Sequence, residues 1–234
     1  MDVAAVVVQV VVEDPAECGG SRHDRAHARR GFGRALACAG RHHDAIEALE
    51  HAIVLLAGDP AGEGQAHLDI ALALELLDRP EETLERALRS IPLFEQTDDV
   101  TLLGNALNCA GWYHAQAGDY ESCVACCLRA LALLRGSDDR RGRAATLDSL
   151  GYAYLRLERF DQAAARLREA VELFEQIDDR HGTADALNHL GECLAATGER
   201  VQAVAAWRQS LAVLEQLGHQ DAEIVRDRMS ALSR

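Results

Sequence analysis

The stretch "GYAYLRLERFDQAAARLREAVELFEQIDD", residues 151–179, decides the fold. It holds two apolar patterns separated by a polar break. Leu147, Leu150, Gly151 and Tyr154 recur at three- and four-residue steps, which marks one face of an α-helix. After Glu158 the same rhythm returns at Phe160, Ala163, Ala164, Leu167, Ala170, Val171 and Phe174. The spacing predicts two helices joined by a short turn. Each has one apolar side that it cannot bury alone.

The pattern repeats along the chain. "GWYHAQAGDYESCVACCLRALALLRGSDD" starts at Gly111 and "GECLAATGERVQAVAAWRQSLAVLEQLGH" at Gly191, each forty residues from Gly151. Leu107, Leu147 and Leu187 lie four residues before each glycine. A weaker copy begins near Ala71, and a fifth near Gly33 with a period two residues shorter. Five copies therefore cover residues 22–219. Repetition at this period means stacked supersecondary units that share a continuous core. Acidic pairs close the units at Asp98–Asp99, Asp138–Asp139 and Asp178–Asp179. A calcium loop would need oxygen ligands at alternating positions and a later Glu. Helix N-caps are the expected role, because Asp accepts the free N–H groups of a first turn. Pro80 suits a helix start, whereas Pro92 falls inside a second helix and is expected to kink it.

Composition agrees with helices. Ala, Leu and Glu are abundant, and all 24 basic residues are Arg. The net charge of −14 disfavours direct contact with nucleic-acid phosphates. Residues 21–43 run against this balance, with six Arg, four His and one Asp. They read as a solvated helix face or as a basic patch for an acidic partner. The seven cysteines are odd in number and scattered, which argues for reduced thiols in a cytoplasmic protein rather than a disulfide framework. Val3 to Val12 is apolar but too short to span a bilayer. A strand, a capping helix and the remnant of an upstream domain all remain open for it.

The repeats resemble the tetratricopeptide repeat (TPR) family, whose first helix carries W-x2-L-G-x2-Y. Its second helix carries a small residue, a large one four later and a small one three beyond. The fourth copy matches with Leu147, Leu150, Gly151, Tyr154, Ala163, Leu167 and Ala170. The fifth matches with Leu187, Leu190, Gly191, Leu194, Ala203, Trp207 and Ser210. The third has Leu107, Ala110, Gly111, His114, Cys123, Cys127 and Ala130. The first has Phe32, Gly33, Leu36, Ala45, Leu49 and Ala52. The second is weakest, with Ala71 for Gly and Ala87 for the large residue. The expected architecture is all-α: a right-handed superhelical solenoid of about five TPR-like repeats. The expected divisions are an N-terminal segment over 1–21, the array over 22–219 and a capping helix over 220–234.

The region from "ALNCAGWYHAQAGDY" through "DDRRGRAATLDSLGYAYLRLERFDQA" further resembles the C-terminal repeats of actinobacterial AfsR/SARP-type regulators. That resemblance implies the sensor or interaction part of a transcription regulator of secondary metabolism. In such proteins the DNA-binding and nucleotide-binding domains lie upstream. This chain shows no G-x4-G-K-[ST] loop and no helix-turn-helix pattern.

No catalytic constellation emerges, and no enzymatic activity, cofactor or metal ligand is expected. The expected site is a groove lined by the first helices, on a stripe separate from the Leu/Gly/Tyr face. In copy one the stripe is His27, Arg30 and Arg34, and in copy two Gln65, Leu68 and Leu72. Copy three offers Asn105, Asn108 and Trp112, copy four Ala145, Asp148 and Tyr152, and copy five Asp185, Asn188 and Glu192. It runs from basic to acidic. Asn can both donate to and accept from a peptide backbone, and Trp and Tyr are efficient anchors. The resemblance implies a protein or peptide segment as the occupant. Self-association through the end repeats is a further option, without direct nucleic-acid contact and without a membrane.

The segment "ESCVACCLRA", residues 121–130, is the alternative source of function. Cys123 and Cys127 fall at the small and large core positions of the third copy, so they read as packing groups. A thiol- or metal-responsive sensor would use them with His114, although no fourth ligand is defined. Small-molecule sensing in the groove is a further alternative. Cys126 lies off the core stripe and is expected to be the more exposed thiol.

Overall fold

The computed structural model describes residues 20–232, so the apolar N-terminal run lies outside the described residues. The described residues form eleven α-helices and no strands. They are α1 (Arg22–Cys38), α2 (His42–Leu55), α3 (Pro60–Glu75), α4 (Pro80–Phe94) and α5 (Val100–Gln116). Then follow α6 (Tyr120–Leu134), α7 (Arg140–Arg156), α8 (Phe160–Gln176), α9 (Arg180–Ala196), α10 (Arg200–Leu217) and α11 (Ala222–Leu232). The chain divides into two compact units, one ending at Ala117 and the other starting at Gly118. The first holds α1 to α5 and the second α6 to α11.

Local chemistry sets where the helices start. Ser21 caps α1 in a reciprocal box with Asp24. Asp59, Asp99, Asp119, Asp139 and Asp179 each accept a backbone N–H from the next helix's first turn. The acidic pairs are therefore caps. Pro80 opens α4, while Pro92 sits in its last turn. Its missing N–H removes one bond to the residue four back, and the helix ends two residues later.

The turns between paired helices also recur. Gly40, Asp78, Gly118, Glu158 and Gly198 occupy equivalent places, all at positive φ. Glycine adopts this left-handed turn freely, whereas Asp78 and Glu158 carry a cost of roughly 1–2 kcal/mol. The turn folds each second helix back on the first, so α1 packs on α2, α3 on α4, α7 on α8 and α9 on α10. Successive hairpins then stack through α2 with α3 and α8 with α9.

A close approach holds each strong hairpin together. A Cβ placed on Gly33 would lie 2.6 Å from Leu49 Cγ, and one on Gly151 would lie 2.6 Å from Leu167 Cγ. On Gly191 it would lie 2.4 Å from Trp207 Nε1. In α8, Ala163, Leu167, Ala170 and Phe174 are buried, which are the positions the repeat pattern marks as core. Within the α3–α4 hairpin Phe94 lies against Gly64, and between hairpins Phe174 of α8 lies against Gly182 of α9. At the C-terminal end α11 packs on α10 and buries Ala222 and Val225.

Two glycine substitutions separate space from propensity. Gly151→Ala is expected to destabilise by roughly 1–3 kcal/mol through overpacking against Leu167. Gly31→Ala, also inside a helix but with nothing within 4 Å of its added Cβ, is expected to stabilise by up to about 1 kcal/mol. Urea unfolding followed by far-UV circular dichroism measures both.

Candidate binding face of the repeat helices

In the second unit, α7 and α9 lie side by side and bring five stripe residues together. Asp148 and Tyr152 come from α7, and Asp185, Asn188 and Glu192 from α9. All five are partly buried rather than fully solvated. The centre of the group is His189, which the stripe pattern did not include. Its Nδ1 lies 2.9 Å from Asp148 Oδ1, with both side chains largely buried. The Tyr152 ring packs on it at 4.9 Å, and Tyr120 lies edge-on to Tyr152 at 6.4 Å. His181, Asp185 and His189 are spaced four apart on α9, and His181 Nδ1 lies 3.0 Å from Asp185 Oδ2. That spacing was the available signal for His189.

The electrostatics follow from this crowding of acids. Burial opposes charge on His189, but the Asp148 carboxylate, its hydrogen bond, Glu192 and Asp185 together hold its pKa above the ordinary 6.5. Burial raises the Asp185 carboxyl, and Asp148 adds to this while His181 and His189 oppose it. Tyr152 is also pushed up, chiefly by burial.

A second residue absent from the stripe comes from α11. Arg228 Nη1 donates to Asn188 Oδ1 at 2.6 Å and pairs with Glu192 Oε1 at 2.7 Å. The last helix thus seats a guanidinium on two stripe residues. The backbone carbonyl of Asn188 is also engaged, accepting the indole N–H of Trp207 at 3.1 Å. A shallow hollow beside this contact is lined by Glu192, Ala195, Arg200, Trp207 and Arg228.

In the first unit, Arg30 and Arg34 converge on Asp69 of α3. Arg30 Nε donates to Asp69 Oδ2 at 2.8 Å and Nη1 donates to Gln65, while Arg34 Nε lies 3.7 Å from Asp69 Oδ1. The basic end of the stripe is therefore partly neutralised by an acid on the next first helix. Asn105, Asn108 and Trp112 lie on α5, half-buried. The Asn108 side-chain oxygen is buried without a hydrogen-bond partner. Tyr113 and Gln116, on the same helix, donate to Glu75 of α3 at 3.0 and 2.9 Å.

The cysteines sort by burial. Cys123 and Cys127 are fully buried, with their sulfurs 3.8 Å apart, and Cys123 Sγ donates to the Ser149 carbonyl at 3.7 Å. They occupy core positions of α6. Cys126 is half-buried, and burial raises its thiol pKa. Burial pushes Cys109 up to about 11. Cys38 is exposed.

Two outcomes follow from these environments. His189 gains its partner on folding and its pKa rises. Its stabilising contribution is therefore fully present below pH 6.5 and is lost as pH rises through the higher folded value. His189→Gln is expected to remove that slope, read as urea midpoints between about pH 6 and pH 9. Iodoacetamide at neutral pH is expected to label Cys38 first, Cys126 slowly, and Cys123 and Cys127 only after unfolding, as read by peptide mass mapping.

A tetratricopeptide repeat family model matches residues 102–176. No curated protein matches the sequence. BtubC from P. vanneervenii is similar in structure at 13% identity, over 92% of this chain and 89% of that one, with a TM-score of 0.73. A signal transduction ATPase with a tetratricopeptide repeat sensor, from Pyrococcus horikoshii, aligns at 14% identity and a TM-score of 0.73. That match covers 97% of this chain and 39% of the ATPase. A Rap protein complexed with competence and sporulation factor aligns at 14% identity over 98% and 70% of the two chains, with a TM-score of 0.67. At these identities the likeness is one of fold: this chain is built of TPR-like helical repeats. Among the described residues, no helix is long and apolar enough to cross a membrane.

Proposed function

We propose that this chain is a peptide- or protein-binding scaffold whose partner segment lies on the polar face of the first helices. The observation that carries this reading is the seat of Arg228. Asn188 and Glu192 already hold a guanidinium presented by another helix, with Asp148 and Asp185 nearby on the same helix pair. A face that accepts an arginine from its own chain has the chemistry to accept one from a partner. The favoured partner is therefore a segment with basic side chains. Asn108, half-buried on the stripe of the first unit, would donate its side-chain amide N–H to the segment's backbone.

The regulator reading is the finer part of the proposal. Its support is the resemblance to the repeat region of AfsR/SARP-type regulators, together with the fold shared with an ATPase that carries a TPR sensor. In this role the chain is a cytoplasmic interaction or sensor module. It carries no catalytic centre of its own and does not touch nucleic acid directly. The alternative thiol sensor loses support, because Cys123 and Cys127 are packed into the core.

Peptides selected on the full chain by phage display, then titrated by fluorescence anisotropy, test the proposal. Basic sequences are expected to bind. Asn108→Ala and Asp148→Asn are expected to weaken them, and Arg228→Ala to strengthen them by freeing Asn188 and Glu192. No enrichment of peptides, or affinities unmoved by all three substitutions, would remove the reading.

A further inference from the structure

The basic helix α1 carries a second cluster, which includes the stripe residue His27. His23 and His27 stand one turn apart on α1, with their ring centroids 4.2 Å apart. Asp59, the N-cap of α3, faces both. Its Oδ2 lies 3.5 Å from His27 Nε2 and 4.0 Å from His23 Nδ1. One donor atom from each of the three residues falls within 4.8 Å of the other two. Asp59 is divided between two tasks. Its Oδ1 accepts the Gly62 N–H at 3.0 Å and caps α3, which leaves Oδ2 available. Asp24, the next nearest carboxylate in sequence, has Oδ2 committed to the Ser21 N–H and hydroxyl.

We propose that His23, His27 and Asp59 form a zinc-type transition-metal site that ties α1 to the start of α3. Two histidines four residues apart on one helix face present both rings to a single ion. Two imidazoles with one carboxylate make a borderline donor set that suits zinc, copper and nickel. Bonds of about 2.0–2.2 Å in a tetrahedral site place neighbouring donor atoms roughly 3.3 Å apart. The His27–Asp59 distance already meets this. The exposed His23 ring, with 65% of its side chain accessible, needs only a small rotation to follow. Water completes the fourth position. The ion would replace two long histidine–carboxylate contacts with three bonds between α1 and the start of α3. It would neutralise Asp59 without disturbing the cap.

The test uses the full chain without a histidine tag, stripped with chelator and kept reduced. Zinc is titrated by calorimetry, and cobalt(II) by its visible spectrum. The expected result is one ion per chain at micromolar affinity, with a cobalt spectrum that lacks a thiolate charge-transfer band. His23→Ala and His27→Ala are each expected to weaken binding by more than about tenfold. Asp59→Asn keeps a capping side chain and removes the anionic ligand, so it separates ligation from folding. It too is expected to weaken binding, with the far-UV spectrum unchanged. Absence of saturable zinc binding would overturn the proposal. So would binding that survives both histidine substitutions, or binding that Cys123→Ser abolishes.

Discussion

The approach of one helix to another across a glycine is the contact on which the repeat depends. At Gly33, Gly151 and Gly191 the missing side chain is filled by Leu49, Leu167 and Trp207 of the paired helix. A methyl group at any of these places would stand under 3 Å from its neighbour. The large residue then fixes the separation, and small residues on either side, such as Ala163 and Ala170, let the backbones stay close. The Leu and Gly positions of each strong first helix, such as Leu147, Leu150 and Gly151, are drawn to that side. Trp207 shows how exacting the fit is, because its indole N–H also reaches the Asn188 carbonyl on the helix it packs against.

The same contact decides what the opposite face of each first helix can hold. With the Leu/Gly/Tyr side committed to the core, the remaining side is half-buried by the next repeat. Polar groups there must find partners, since an unpaired buried charge is costly. Asp69 answers Arg30, Asp148 answers His189, and Glu192 answers Arg228. A half-buried ion pair is weak evidence of stability, because desolvation offsets much of the attraction. It is better evidence of a surface where charge position is fixed in advance. The proposed binding of a basic segment at Asn188 and Glu192 is then an exchange with Arg228, not the filling of an empty groove.

Much of the fold and part of the face were legible in the residues. The three glycines forty apart located the hairpins, and the acidic residues located their starts. Equivalence with Ala163 and Leu167 was enough to place the sulfurs of Cys123 and Cys127 in the core. The stripe at three-, four- and seven-residue steps named Asp148, Tyr152, Asp185, Asn188 and Glu192, which α7 and α9 bring onto neighbouring helices. It missed His189 because a stripe drawn on one helix ignores the neighbour that leans over it. It missed Asp69 and Arg228 for the same reason: their meaning lies in partners some forty residues away. A gradient from basic to acidic was visible in sequence, yet Asp69 blunts one end and Arg228 the other.

The sequence by itself determined the helices, their caps, their turns and their core faces, because each depends on residues within one or two turns of each other. Only the tertiary structure decided which polar side chains meet. Repeats of one period stack side by side, and the pairs that form across them depend on how far each first helix is turned toward the next. Spacing along the chain carries no record of that rotation. The His23, His27 and Asp59 cluster is of the same kind: a helix face supplies two members, and the third arrives only because α3 starts beside it.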